Sequence, residues 1–549
     1  MMAGTVLVCT LVACNKEQEV KEGTNPENEV ELVTEVIRAS WDEGETKGNI
    51  AEVGGAFTWS EGDKIAVHTN NDGGTWYYSQ ALVAGDEGKA SANFTTSYAG
   101  TRDAVAVFPN SLVTAGAADL SSGLTVTLPS SYALADVQGD KAPTPMVADN
   151  TAETLAFKHL CGLLRLTING IPAEATKLTV DFLGRKVYGD FTIAAGDLEP
   201  GEDGCIISTT SPSANDVITI SGLDGSVSSV TVNIPLPAGT YDDVVITPYN
   251  SSNVALKLMA VRHIKGGSYT ASRAHRRKLT ATLVSFSVSD TKKVVFAPGN
   301  LQAVFASAGS SCTWKFADNQ FDTVGAGEAN TSISGPGSVS TAGTFDLFGW
   351  VGDAGTYNSY GINIGDVDEY GDYHDGRFWP EPLKNDWGVL PIGSYASDTW
   401  RTLSADGDNN PSNGEWNYLI LSRGGDMFAQ ASVNGKNGVI IFPDNYVHPT
   451  GPSSPNNVNT PVAWDKDDLS EYTANEWQVL EGAGCIFLPC GGYRHGNNEV
   501  IAPITYASYW STTVGNRVVI FYASGGQLDA CHWQSRQNGS CVRLVRDLN

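Results

Sequence analysis

Between residue 30 and about residue 283, apolar and polar positions alternate in short runs separated by turns. Lys64-Ile-Ala-Val-His68, Ala104-Val-Ala-Val-Phe108, Leu124-Thr-Val-Thr-Leu128, Leu178-Thr-Val-Asp-Phe182 and Val217-Ile-Thr-Ile-Ser221 are such runs. Successive side chains of a strand point to opposite faces, so each run is predicted as a half-buried antiparallel strand. Glycine, Asp-Gly and proline punctuate the runs at sandwich-like intervals, and no long helical period intervenes. A fresh series of strands begins at Phe157, which puts a division near residue 150. From Phe286 onward Trp, Asn, Gly and Asp dominate. Two helices are predicted there from Ser/Thr-x-x-Glu capping boxes, Ser412 to Glu415 before Trp416 and Thr473 to Glu476 before Trp477. Such a box satisfies free amide donors at a helix start. Gly424 and Gly482 are the predicted stops, and Arg517-Val-Val-Ile-Phe521 and Cys541-Val-Arg-Leu-Val545 are predicted strands. Helices among loops with a terminal β-ribbon make an α+β module.

Length changes the picture first, because 549 residues are too many for one core. Charge then narrows the partners. With 34 Lys and Arg against 61 Asp and Glu, the net charge is −27, and a polyanion repels phosphate backbones. Nucleic acid is therefore not an expected partner, and the basic run from Arg273 to Lys278 reads as a solvated strand start. At the N-terminus, the apolar run at residues 6–13 ends in Leu11-Val12-Ala13-Cys14, which resembles the lipobox of bacterial lipoproteins. That resemblance implies lipidation of Cys14. Acyl chains contribute about 0.8 kcal/mol per buried CH2, so the expectation is a lipid-anchored protein at the outer membrane and cell surface. No later run approaches the roughly 18 apolar residues a membrane helix needs. Of nine cysteines, Cys9 would leave with the signal and Cys14 would take the lipid. The remaining seven are an odd, scattered set, expected mostly as buried small hydrophobes with one or two bridges left open.

Trp59-Ser-Glu-Gly-Asp-Lys-Ile-Ala-Val67, Phe108-Pro109, Phe157-Lys-His-Leu160 and Leu164-Arg-Leu166, closed by Arg276-Arg-Lys-Leu-Thr280, resemble the fimbrillin-like lipoproteins of Bacteroidetes. The resemblance implies two transthyretin-like β-sandwich lobes of pili or surface adhesins. Further on, Val294-Val-Phe-Ala-Pro-Gly-Asn-Leu-Gln302, Trp314-Lys-Phe-Ala317, Trp400-Arg-Thr-Leu403, Glu415-Trp-Asn-Tyr-Leu419 and Phe487-Leu-Pro489 stand in order. With Gly492-Tyr-Arg494, Tyr509-Trp-Ser-Thr-Thr513 and Gly539-Ser-Cys-Val-Arg-Leu-Val545 they resemble a secreted domain of the formylglycine-generating-enzyme type of C-type lectin fold. Versions that end a chain resemble the variable proteins of diversity-generating retroelements, in which the last strands and loops vary on a kept framework.

Catalytic signatures are scarce. The eight histidines show no His-Glu-x-x-His spacing, and neither a Gly-x-Ser-x-Gly elbow nor a phosphate-binding glycine loop occurs. Cys485 and Cys490 invite comparison with the copper-holding cysteine pair of sulfatase-activating enzymes. However, an offset of five in an extended run puts their side chains on opposite faces, so no enzyme is expected. Asp366, Asp368 and Asp372 imitate a calcium loop, but Arg377 stands where its closing Glu belongs. Calcium is therefore a candidate cofactor only, set against a solvated acidic turn. Between the framework residues Trp510, Ser511, Arg536, Gly539 and Arg543 lie Asn516, Arg517, Val519, Tyr522, Gln527, Asp529, His532, Trp533, Gln534, Ser535, Gln537 and Asn538. Aromatic rings contribute rigid contact area at low entropy cost and short polar residues contribute hydrogen bonds, so this mixture suits a ligand-binding face.

The predicted organisation is a lipoprotein signal at residues 1–14, a polar tether at 15–30, lobes at 31–150 and 151–283, and a C-type-lectin-like domain at 284–549. The predicted function is a surface adhesin or receptor whose partner is a protein or glycan on another cell, a phage or the host. The alternative is a pilus tip or anchor subunit contacting other subunits, with Arg38 as a processing site. A copper-dependent oxidase is the remote third.

Overall fold

The computed structural model describes residues 32–41, 58–139, 145–193, 215–264, 269–271, 276–335, 338–349, 392–395, 398–405, 414–460, 462–464, 468–495, 499–514, 518–524, 527–534 and 538–548. At positions 41, 269–271, 276, 335, 338 and those described within 513–534, the backbone alone is described. Strands dominate, and among the described residues no helix is long and apolar enough to cross a membrane.

The first sheet runs in the order Ser91–Tyr98, Val33–Trp41, Thr154–His159, Met146–Asp149, Arg102–Phe108, Ala66–Thr69, Thr75–Tyr78 and Gly116–Ala117. Its two sides meet. Ser79 bridges Thr96, and the Gln80 amide donates to the Thr95 carbonyl at 2.8 Å, so seven strands form a ring. Trp59 fills the centre, with ring centroids 4.9 Å from Phe94, 5.1 Å from Phe108 and 5.9 Å from Phe157, all edge-on. The outer face is covered as well. A two-stranded sheet of Leu124–Leu128 and Gly189–Ile193 lays Val126 and Phe191 over Ala66, Val105 and Val107.

This double cover corrects the half-buried reading of two runs. Val67, Ala106 and Phe108 point into the ring, while Ala66, Val105 and Val107 point to the outer core. Every residue from Ala66 to Thr69 is buried. Strands covered on both faces read as near-continuous apolar runs. Leu124–Leu128, covered on one face, alternates as predicted.

The second lobe is a sandwich. One sheet holds Ser229–Leu236, Gly162–Asn169 and Arg276–Thr282; the other holds Ala260–His263, Asp243–Tyr249, Lys177–Asp181, Val217–Ser221 and Ser131–Ala133. Leu164, Leu166 and Ile168 face Leu178, Val180, Ile218 and Ile220 across one core. Strands are exchanged across residue 150. Thr154–His159 completes the first ring, Ser131–Ala133 pairs in parallel with Val217–Ser221, and Gly189–Ile193 returns to cover the first lobe.

In the C-terminal region the ends meet: Lys293–Phe296 pairs antiparallel with Val545–Asp547, Val295 opposite Arg546. A four-stranded sheet of Ser470–Tyr472, Phe428–Val433, Lys436–Ile441 and Ile486–Pro489 separates two cores. Cys485 lies in one and Cys490 in the other, on opposite faces as their odd spacing implies. The larger core also takes in Val245, Met259 and Val261 of the second lobe, so lobe and C-terminal region share one apolar interior.

Thr473 and Glu476 form the predicted capping box on the Ala474–Gly482 helix, the Thr473 hydroxyl accepting from Glu476 N at 3.3 Å and Glu476 accepting from Thr473 N at 2.8 Å. Its stop differs from prediction. Gly482 is still helical and packs close to Thr280; the positive φ of 91° is at Gly484, whose Cβ would sit 2.3 Å from Val284 Cγ1. The other helix is Glu415–Asn417 continued by a π turn at Tyr418–Ser422, and the positive φ beyond it is at Gly425 rather than Gly424. Gly414 precedes it without a side-chain cap, and Ser412 lies outside the described residues. Ser404 takes the reciprocal role. Its hydroxyl accepts from Glu415 N at 3.2 Å, and the Glu415 carboxylate accepts from Ser404 N at 3.0 Å. The predicted strand at residues 541–545 is mostly loop. Its Val542 and Leu544 carbonyls accept from Leu301 and Ala297, and the strand proper is Val545–Asp547.

Candidate functional site

The predicted binding segment falls in a three-stranded antiparallel sheet of Ala507–Val514, Val518–Ser524 and Gln527–Gln534. The backbone register sets Val519 opposite Trp533, Ile520 opposite His532, Tyr522 opposite Asp529, and Ser524 opposite Gln527. A shift between Ile520 and Tyr522 marks a bulge there, a feature that bends a strand and increases its twist. Gln534 ends the last strand. Asn516, Arg517, Ser535, Arg536 and Gln537 lie outside the described residues, as do Cys14 and the calcium candidates Asp366, Asp368 and Asp372. Asn538 is placed differently from expectation. It is 5% exposed, drawn inward because neighbouring Gly539 exchanges two backbone hydrogen bonds with Arg494, at 2.7 and 2.8 Å.

The root of this sheet is rigidly held. Ser508, Tyr509, Trp510 and Ser511 are completely buried. The Trp510 indole N–H donates to the Phe348 carbonyl, and the Tyr509 hydroxyl donates to the Pro489 carbonyl at 2.9 Å while accepting from Asn300 Nδ2 at 3.2 Å. Gly539 tolerates no side chain, since a Cβ would lie 2.3 Å from the Leu347 carbonyl oxygen.

Arg543 is the charged centre of that root. Fully buried, it donates to Gln320 Oε1 at 2.6 Å and to Asn300 Oδ1 at 3.3 Å. Burial pulls its pKa down to about 10, with Tyr509 and Glu481 pulling the other way, so it remains charged at neutral pH. Gln320 passes the charge on: its Nε2 donates to Glu481 Oε1 at 3.0 Å. Glu481 in turn pairs with Arg262 of the second lobe at 3.2 Å. A polar chain thus runs from the second lobe to the base of the terminal sheet. Arg262, Gln320 and Glu481 carry no sequence motif, and more than 160 residues separate Gln320 from Glu481 along the chain. A second arginine, Arg401, ties the chain end to the short helix, bridging Glu415 at 2.8 Å and Asp547 at 2.7 Å.

Among the described residues no group of three His, Cys, Asp or Glu side chains could hold a metal. Burial pushes the Cys485, Cys490 and Cys541 thiols well up, away from the reactive thiolate.

No protein-family profile matches the chain, and no curated protein matches it. Solved structures do. A candidate cell-adhesion protein from Bacteroides ovatus is 14% identical, covering 45% of this chain and 91% of its own, at a TM-score of 0.28. One from Bacteroides uniformis is 18% identical, covering 43% and 88%, at 0.24. The C-terminally truncated tip fimbrial protein of Porphyromonas gingivalis is 11% identical, covering 43% and 82%, at 0.20.

Proposed function

We propose that this chain is a cell-surface adhesin or receptor, lipid-anchored through Cys14, whose two all-β lobes form a stalk for a lectin-type C-terminal domain. The terminal sheet of that domain recognises a protein or glycan on another cell, a phage or the host. What supports the reading is the division of the last segment into a buried root and a run of strands carrying the residues suited to contact. Trp510, Tyr509 and Arg543 are fully buried and hold the root. A shared apolar interior between the second lobe and the C-terminal region suits a stalk that presents its head in a fixed direction. The test has two parts. Sequencing the gene and its surroundings across many cells should find a near-copy of the 3′ end, differing mainly at adenines, beside a reverse transcriptase. Alanine at Trp533 and Tyr522 should abolish binding of a ligand captured by the whole chain; unchanged binding overturns the assignment.

A second reading, a pilus subunit, is favoured by one observation. Val33–Trp41, the first strand, is interior to the ring, between Ser91–Tyr98 and Thr154–His159, and contains the exposed Arg38. Cleavage there would release residues 33–38 and uncover the edge of Ser91–Tyr98 from Asn93 to Tyr98, able to accept a donated strand. Heat-resistant, high-mass ladders on gels would support it, and a monomer band alone after cleavage would remove it.

A further inference from the structure

The second lobe and the C-terminal region part on one side to leave a cleft of about 690 Å3. Two sheet-edge strands, Ala260–His263 and Arg276–Thr282, form one wall. They are joined at the base, where Met259 and Val284 exchange hydrogen bonds of 3.1 and 3.0 Å. The facing wall is the Ala474–Gly482 helix with the loop that carries Asn445 and Val447.

His263 lines this cleft with only 10% of its side chain exposed. Its Nδ1 is bound to the Asp243 carboxylate, while Nε2 on the opposite side of the ring is buried and has no partner. Burial disfavours charge on the ring, but Asp243, and beyond it Glu481 and Asp318, lift its pKa above the ordinary 6.5. Nε2 is thus a buried polar atom without a hydrogen-bond partner, an arrangement costing roughly 1–3 kcal/mol until one arrives.

The class of that partner follows from the surroundings. Among the described residues, Arg262, His263 and Lys278 are balanced in number by Glu481 and Asp318 of the lining and by Asp243 bound to His263, so these residues show no excess charge to recruit an ion. Asn475 and Gln478 on the helix offer both donors and acceptors, the pattern a peptide backbone needs. Val447 and Val479 stand 78% and 41% exposed at the same cleft. Among the described lining residues there is no Phe, Tyr or Trp to stack on a sugar ring. Arg276–Thr282 is paired on one side only among the described residues, and such an edge can take a further strand.

We propose that this cleft binds an extended, uncharged peptide segment of a partner protein. One backbone polar group of the peptide pairs with His263 Nε2, and small apolar side chains rest on Val447 and Val479. This site is separate from the terminal sheet, so either can fail without the other.

The test is selection of a phage-displayed library of uncharged heptapeptides on the full chain, followed by calorimetric titration of the selected peptides. The same chain is applied to a glycan array. Val479→Arg and Val447→Arg fill the cleft from exposed positions, and His263→Phe removes the unpartnered ring nitrogen. The expected result is peptide binding weakened about tenfold or more by each variant, with an unchanged melting temperature for the two valine variants. Peptides that bind all variants equally, no selected peptide at all, or glycan binding lost in Val479→Arg would each overturn the proposal.

Discussion

Arg262 of the second lobe caps a helix of the C-terminal region: its Nη1 donates to the Glu481 carbonyl at 3.0 Å and pairs with the Glu481 carboxylate at 3.2 Å. Thr282 does the same for the next residue, donating to the Gly482 carbonyl at 2.6 Å. The last turn of a helix leaves carbonyls without intrahelical partners, and here another lobe satisfies them. Arg262 and Glu481 are 13% and 14% exposed. Arg262→Met leaves a largely buried carboxylate short of a partner and should destabilise the C-terminal region by about 2–3 kcal/mol. The double variant Arg262→Met/Glu481→Met should recover much of that loss in differential scanning calorimetry, because two apolar side chains leave no orphaned charge.

Thr473→Ala removes the hydroxyl that receives the Glu476 amide. Loss of such a cap costs about 1 kcal/mol. Chemical denaturation should show it as a lowered midpoint with an unchanged slope.

Gly438 pairs with Pro489, and an added Cβ would meet Phe487 Cζ at 2.4 Å and the Leu488 carbonyl oxygen at 2.5 Å. Backbone and a buried ring cannot both yield. Gly438→Ala should cost about 2 kcal/mol or more through overpacking, whereas Gly435→Ala, with open space around its Cβ but a φ of 75°, should cost less. Paired thermal melts decide it.

Asp346 is fully buried, and burial pushes its pKa up to about 6 against the bonds it accepts from Asn330 and Val324. The folded form therefore holds this proton more tightly than the unfolded form, whose value is 3.8. Stability contributed by this proton is present at low pH and is lost as pH rises through about 6. Lowering pH from 7 to 5 should add about 1 kcal/mol, and Asp346→Asn should flatten that slope in pH-dependent unfolding.

Cys161, Cys485, Cys490 and Cys541 are buried free thiols, while Cys312 is partly accessible. With an aromatic disulfide reagent on the native chain, Cys312 should react well before these four, which should appear only after denaturation. Early labelling of Cys485 together with Cys490 would contradict their placement in separate cores.

The chain's local grammar was readable where one face of a strand or one end of a helix decides the outcome. Leu124–Leu128 alternates because a single face is covered. Thr473 and Glu476 cap a helix because both groups lie within one turn. The parity of Cys485 and Cys490 separates their faces whatever packs on them. Reading failed where a distant segment supplies the second partner. Ala66 and Val67 belong to different cores only because a strand from beyond residue 180 lies over the ring. Glu415 is met by Ser404 and Arg401, which lie outside its own turn. Gly484, rather than Gly482, needs its glycine because Val284 of another segment presses against it.

Length, charge and local pattern were enough for an acidic, strand-rich chain of several cores with one capped helix. Only the tertiary structure decided that the first sheet closes into a ring and that strands are exchanged across residue 150. It also decided that Arg262, Glu481, Gln320 and Arg543 form one polar chain between lobe and terminal sheet. The physical reason is range. Alternation and capping act within a few residues, whereas burial of a charge is tolerable only when the complete fold brings its partners to it.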